Sequence, residues 1–271
     1  MNDMAQLVNG AMTAPILKIV AAEKELLKLP QANMVTTHHF APGLYARALY
    51  IPKNVMLTGA VHKHDDIAVV AQGDISILSN DGWVRVRSPF LSIAKAGTKR
   101  LGYAHEDTVY ITFHATDETD ILKLDEELFH NIVDGIEGQK TSETRRIERD
   151  REDFQITIKE LGFTPESVRE ISEISVDRID VNDPHIYIDD SPIEGKGVFS
   201  SRSFMAGEEI TVARIGDRRT EAGRYMNHSA QPNCIGKWTD RNYIGIFALR
   251  DILPCEELTN DYRLARKEAL T

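Results

Sequence analysis

Three segments in the last third of the chain concentrate residue types that can do chemistry. The first runs Asp190-Ser191-Pro192-Ile193-Glu194-Gly195-Lys196-Gly197-Val198-Phe199. A Gly-x-Gly beside a short strand lets backbone lie very close to a ligand, because neither glycine has a Cβ. The second runs from Gly223 through Arg224-Tyr225-Met226-Asn227-His228-Ser229 to Pro232-Asn233-Cys234. Polar residues this dense, with little alternation, rarely serve a core. The third is Cys255-Glu256-Glu257-Leu258-Thr259-Asn260-Asp261-Tyr262. A fourth concentration lies far upstream: six of the nine histidines fall between positions 38 and 114. Of these, His62 and His64 are two apart; on a strand they would point the same way and could share one metal.

These residues need elements to position them. Residues 1 to about 121 read as short β-rich pieces such as Ile75-Ser76-Ile77-Leu78, Trp83-Val84-Arg85-Val86 and Val109-Tyr110-Ile111-Thr112-Phe113. Turn signals separate them, and Asn80-Asp81-Gly82 between two alternating runs predicts a hairpin. Residues 122–176 read as a helical connector. Apolar residues in ILKLDEELFHNIV recur at helical spacing. The charge-rich run ETRRIERDREDF reads as a solvated helix face or linker. Thr164-Pro165-Glu166 predicts a helix start: a hydroxyl N-cap, Pro in the first turn, and an acid at the positive end of the dipole. From 177 to 271 short strands with glycines return. The fold expected is mostly β in three parts: 1–121, 122–176 and 177–271.

The three C-terminal segments, in this order and spacing, resemble the SET domain, the protein-lysine methyltransferase family. The match extends from about His185 to Arg263 and takes in IGIFALRDI, which looks like the family strand and turn before its last motif. The resemblance implies S-adenosylmethionine as methyl donor and a protein lysine as acceptor. It implies that Gly195, Lys196 and Gly197 lie against the methionine part of the cofactor. Asn227 and His228 would contact its amine and adenine. Tyr225 stands where the family has a packing aromatic, and is grouped with the cofactor-binding residues. Tyr262 would orient the amine as the catalytic residue. Methyl transfer is an in-line displacement that depends on positioning, and an apolar channel beside a sulfonium lowers the pKa of the incoming lysine. The sequence departs from the family in three places. Only a dozen residues separate Val212 from Tyr225, where the family has a longer insert. Nine residues follow Tyr262, where the family has a cap. Cys255 replaces a usual turn glycine. The channel must then be covered by the helices, the N-terminal part or a second copy.

In the N-terminal part, Gly59-Ala60-Val61-His62-Lys63-His64-Asp65-Asp66 followed by Gly73 resembles the first motif of the cupin family, and Lys95-Ala96-Gly97 the turn of its second. The glutamate expected after the histidine pair is replaced by Ala68 and Val69, and Arg100 stands at the second motif's histidine position. The resemblance implies a cupin-like β-barrel serving as scaffold or interaction surface. No metal is assigned; if the barrel holds one, the candidates are His62, His64 and His105. A SET domain joined to such a barrel resembles proteins of bacteria and bacteriophages.

Composition bounds the rest. The chain has 271 residues, 42% hydrophobic and 27% charged, with a net charge of −10. That suits a folded protein, disfavours a nucleic-acid binder, and suits a basic partner such as a lysine-bearing protein. Two cysteines, Cys234 and Cys255, cannot form a disulfide framework or a four-cysteine zinc site. Neither a signal peptide nor a membrane span is read, so a cytoplasmic protein is expected, as a homodimer or larger oligomer. Alternatives stay open: a catalytically weak binding or oligomerisation module, or a metal-dependent cupin enzyme.

Overall fold

The structure, a computed structural model, describes residues 14–79, 82–130, 132–133, 136–137, 142–239 and 242–269. It is mostly β and forms two compact units, Met1–Thr144 and Arg145–Thr271. The boundary falls in the first turn of a helix, so the stretch read as a separate connector is divided between the units. Leu124 and Leu128 on the helix before the boundary, and Ile147, Phe154 and Ile158 on the helix that spans it, are buried.

The first unit opens with α1 (Ala14–Leu26) and continues with β1 (Val35–Ala41), β2 (Leu44–Ile51), β3 (Met56–Thr58), β4 (Val61–His62) and β5 (Asp66–Gln72). There follow β6 (Asp74–Ser79), β7 (Gly82–Arg87), β8 (Phe90–Ala94), β9 (Leu101–Ala104) and β10 (Thr108–His114). Two antiparallel sheets form, in the orders β1-β2-β10-β5-β8 and β3-β9-β6-β7. Ile51, Val70, Ile75, Val86 and Ala104 make the buried core of the unit. The pairing of β6 with β7 reaches Ser79↔Gly82, around the predicted hairpin turn. Its tip, Asn80-Asp81, lies outside the described residues.

The helix expected through 133 stops early. α2 (Ile121–Leu128) is capped by the Asp120 side chain, and Phe129 leaves it in extended conformation. Phe129–His130, β11, then pairs with β4, so tertiary pairing overrides the helical pattern. Two further short strands, β12 (Ile132–Val133) and β13 (Ile136–Glu137), pair with each other.

The second unit begins with α3 (Ser142–Glu160) and α4 (Pro165–Glu173). Thr164 caps α4 as expected, in a reciprocal capping box with Ser167. Next come β14 (Ile186–Asp190), β15 (Lys196–Ser200), β16 (Glu209–Ile215), β17 (Arg218–Arg219), α5 (Glu221–Tyr225) and β18 (Asn227–His228). The chain ends with β19 (Cys234–Trp238), β20 (Tyr243–Ala248), β21 (Glu257–Asn260) and α6 (Tyr262–Ala269). The sheets have the orders β14-β15-β21-β18 and β17-β16-β20-β19. The β18–β21 pairing is parallel and sets Asn227 beside Thr259 and His228 beside Asn260. Val198, Phe204, Ile246, Ile252 and Leu258 are central to the core.

The charge-rich run on α3 is not a solvated face throughout. Ile147, Asp150, Phe154, Thr157 and Ile158 are buried, and they recur at helical spacing along one stripe. Cys255 sits at φ +63°, the left-handed region where a glycine costs least. Cys234 is buried, and burial pushes its thiol up to about 12. No described helix is long and apolar enough to cross a membrane.

Candidate functional site

The Gly-x-Gly segment forms a closed turn, in which the Ser191 N–H donates to Gly195 O at 2.8 Å. Gly195 adopts φ +53° there. Gly197 is needed for space: a Cβ on it would stand 2.5 Å from Glu257 Oε1 and 3.1 Å from the Ser191 Cβ. Lys196 is exposed and its Nζ donates to Asp190 at 2.9 Å.

Asn227 draws the three segments together. Its Nδ2 donates to Glu194 O at 3.0 Å, Lys196 O at 3.1 Å and Glu257 Oε1 at 3.0 Å. The same Glu257 oxygen accepts the Ser191 hydroxyl at 2.7 Å. Burial raises the Glu257 carboxyl above its usual range, and the donors on Oε1 counter only part of that. Its Oε2 is buried without a hydrogen-bond partner.

His228 is fully buried. Its Nδ1 accepts the Tyr262 backbone N–H at 3.1 Å. That assigns the ring proton to Nε2, which faces Asp153 Oδ2 at 2.6 Å and Thr157 Oγ1 at 3.1 Å. Arg263 grips the same carboxylate with both terminal nitrogens, at 3.2 Å each. Arg263 first, then His228, hold the Asp153 carboxyl below the usual range. Beside them, Ser229 Oγ donates to Asp150 at 3.0 Å. The polar segment expected to avoid a core therefore lies inside one. Its groups are tolerated there because they pair with one another and with α3.

Tyr262 donates its hydroxyl to Met226 O at 3.0 Å, and its ring meets Phe154 edge-on at 6.2 Å. Burial, reinforced by Glu257 and Glu194, pushes the phenol far above its ordinary pKa, so it stays a neutral donor. Tyr225 is turned elsewhere: its hydroxyl donates to Glu173 at 3.0 Å.

A cavity of about 310 Å³ opens beside Tyr262. Ile158, Leu161, Phe163, Val168 and Ile171, from α3, α4 and the turn between them, wall one side. Ala213, Ala222, Met226, Ile244 and Ile246 wall the other. Two polar atoms on its lining residues, Arg224 Nε and Asn260 Oδ1, are buried without a hydrogen-bond partner. Of the residues singled out from sequence, Tyr262 lines this cavity, while Gly195, Lys196, Gly197, Tyr225, Asn227 and His228 do not. Sequence reasoning missed Asp150, Asp153 and Thr157, because α3 was read by its charge. The stripe Ile147, Asp150, Phe154, Thr157 and Ile158 was the available signal.

The N-terminal histidines are arranged differently from the expectation. β4 ends at His62, so His64 does not share a strand face with it and is exposed. His105 lies apart, with its Nε2 on Ser76 Oγ at 2.8 Å and its ring against Tyr103. Among the described residues, the group with ligand spacing is instead His62, Asp66 and His114, one ligand atom of each lying within 4.8 Å of the others. Burial pulls the His114 imidazole down to about 4.

Comparison with known proteins bears on the second unit. Residues 182–263 match the SET domain family. Over 76 residues the chain is 46% identical to the histone-lysine N-methyltransferase, H3 lysine-36 specific, of Schizosaccharomyces pombe, covering 27% of this chain and 9% of that protein. It is 30% identical over 120 residues to the H3 lysine-4 specific enzyme of the same yeast, covering 39% of this chain and 13% of that one. The chain thus spans a small part of the curated relatives it matches. Among solved structures, a cupin superfamily protein from Desulfitobacterium hafniense DCB-2 aligns with 34% of this chain and 86% of its own, at 8% identity and a TM-score of 0.29.

Proposed function

We propose that the second unit transfers a methyl group from S-adenosylmethionine to a lysine side chain of a protein substrate. The observation that carries this reading is the position of Tyr262. Tyr262 lines a largely apolar cavity, while its backbone is tied to His228 of the same motif set.

The site fits such a cofactor by one test. Arg224 Nε and Asn260 Oδ1 are a buried donor and acceptor left unpaired beside the cavity, and a bound molecule with complementary groups would satisfy them. When bound, S-adenosylmethionine supplies a methyl group on a positive sulfur. This chain's residues do the rest. The Gly195–Gly197 backbone offers a close approach, held in shape by Asn227. His228 fixes where Tyr262 begins. Tyr262 positions the incoming amine by its hydroxyl and does not take its proton. The apolar walls from Ile158, Val168 and Ile246 exclude water and favour the neutral amine.

The net charge of −10 suits a basic protein substrate and disfavours nucleic acid. A homodimer in the cytoplasm is the assembly we infer: Ile67, Leu91 and Ile93 are exposed large apolar residues on β5 and β8. One observation favours a second reading, a binding module without turnover. The amide N–H groups of Asn227 and both ring nitrogens of His228 are already used inside the protein. Calorimetric titration of the full chain with S-adenosylmethionine tests the cofactor. Saturable binding, weakened by Asn260→Ala, is expected; no heat from folded protein contradicts both the cofactor and the transferase.

A further inference from the structure

We propose that Glu257 is held as a neutral acid beneath the Gly195–Gly197 turn and gives up its proton when S-adenosylmethionine settles there. Glu257 is thus a positioning residue whose charge follows the cofactor. The inference rests on the methyltransferase reading for its ligand, and on the geometry around Glu257 for the rest.

Glu257 is buried, and its Oε2 has no hydrogen-bond partner. Oε1 has two donors, Ser191 Oγ at 2.7 Å and Asn227 Nδ2 at 3.0 Å. The Ser191 proton is committed to it, because Ser191 Oγ itself accepts the Ile193 N–H at 3.0 Å. The Asn227 amide has two hydrogens, and they serve three acceptors: Glu257 Oε1, Glu194 O and Lys196 O. A carboxylate so thinly donated is costly in a buried place, and a protonated carboxyl costs less.

The charged and titratable groups around it supply no free counter-charge. From α3 these are Arg146 and Asp150, and the Arg146 guanidinium lies 3.8 Å from the Asp150 carboxylate. From α6 it is Tyr262, a neutral phenol. Lys196 on β15 turns its ammonium to exposed Asp190, and His228 on β18 turns to Asp153. Burial accordingly raises the Glu257 carboxyl above its usual range.

The acid lies directly under the turn: a Cβ on Gly197 would stand 2.5 Å from its Oε1. S-adenosylmethionine carries a net positive charge, and a cation held against this backbone favours the carboxylate. The carboxyl O–H bond breaks, its electron pair stays on the oxygen, and the proton passes to the buffer. By linkage, a ligand that expels a proton binds more tightly as pH rises.

Two measurements on the full chain test this. The first needs no cofactor: urea unfolding of the parent and of Glu257→Gln, whose amide has the shape of the neutral acid, between about pH 4 and 8. The unfolded chain ionises Glu257 above the ordinary value of about 4.3, while the folded chain keeps it protonated. The parent should therefore lose stability relative to the variant as pH rises past that value. A gap that does not move, or moves in the parent's favour, overturns the neutral acid. The second is calorimetric titration with S-adenosylmethionine in buffers of different ionisation enthalpy. The parent should release up to about one proton per ligand and gain up to about tenfold in affinity per pH unit, while Glu257→Gln does neither. Binding without proton release, or with the same release in Glu257→Gln, overturns the proposal and leaves the cofactor reading intact. Folded parent that binds no cofactor overturns that reading and the release together. If Glu257→Gln does not fold, infrared difference spectra of the parent decide. The cofactor should remove a protonated-carboxyl band, and a spectrum without that loss overturns the proposal.

Discussion

The backbone N–H of Tyr262 donates to Nδ1 of His228 at 3.1 Å, and the two rings stand 5.3 Å apart. One bond thereby couples the first residue of α6 to the last residue of β18. It also sets the imidazole tautomer, which turns Nε2–H toward Asp153. The position of the proposed catalytic tyrosine thus depends on a carboxylate carried by α3.

Asp153→Asn should therefore destabilise the second unit, by about 1–3 kcal/mol in urea or thermal unfolding. The sign with pH follows from the lowered folded pKa of Asp153. Its stabilisation is fully present above the ordinary carboxylate value of about 3.9 and is lost as pH falls through the lower folded value. The gap between parent and variant should begin to narrow below about pH 4 and close once pH is below the folded value. A gap that persists at the acid end would show that shape, not charge, sets the Asp153 contribution.

Gly197→Ala should cost about 1–3 kcal/mol, because the new Cβ meets Glu257 Oε1 at 2.5 Å. The same change made with Glu257→Ala should cost distinctly less, since the clashing group is gone. Unfolding midpoints of the four proteins form a double-mutant cycle. Additive effects would place the need for glycine elsewhere.

Removing the phenol should strike turnover and spare cofactor affinity. Tyr262→Phe is expected to lower methyl transfer by about 10–1000-fold, as for one positioned polar group. The parent rate should rise with pH as the substrate amine loses its proton. It should not fall again up to about pH 10, because burial keeps the Tyr262 hydroxyl protonated. A pH–rate profile with a descending limb present in the parent and absent in the Phe variant would make Tyr262 an acid that ionises during turnover.

Much of the fold was legible because its signals are local. The hairpin strands around Ile75 and Val86, and the Thr164 cap of α4, follow from alternation and side-chain capping. Motif spacing pointed to Gly197, Asn227 and Tyr262, which the fold does bring close around Glu257 and Met226. What was not legible depends on partners distant in sequence. Asp153 looked solvated until α3 laid it on His228. His64 looked like a ligand until β4 ended at His62. Asp66 and His114 lie nearly fifty residues apart, so spacing alone could not pair them. Ile158 and Val168, from α3 and α4, line the cavity beside Tyr262, although the two helices are distant from it in sequence.

The most direct measurement is transfer of labelled methyl from S-adenosylmethionine to protein. Full chain is incubated with lysate, the labelled acceptor is isolated, and the modified residue is located by mass spectrometry. Methyl groups on lysine side chains are expected, strongly reduced with Tyr262→Phe. Label that appears equally with parent and Tyr262→Phe, or no label from protein that binds the cofactor, would contradict it.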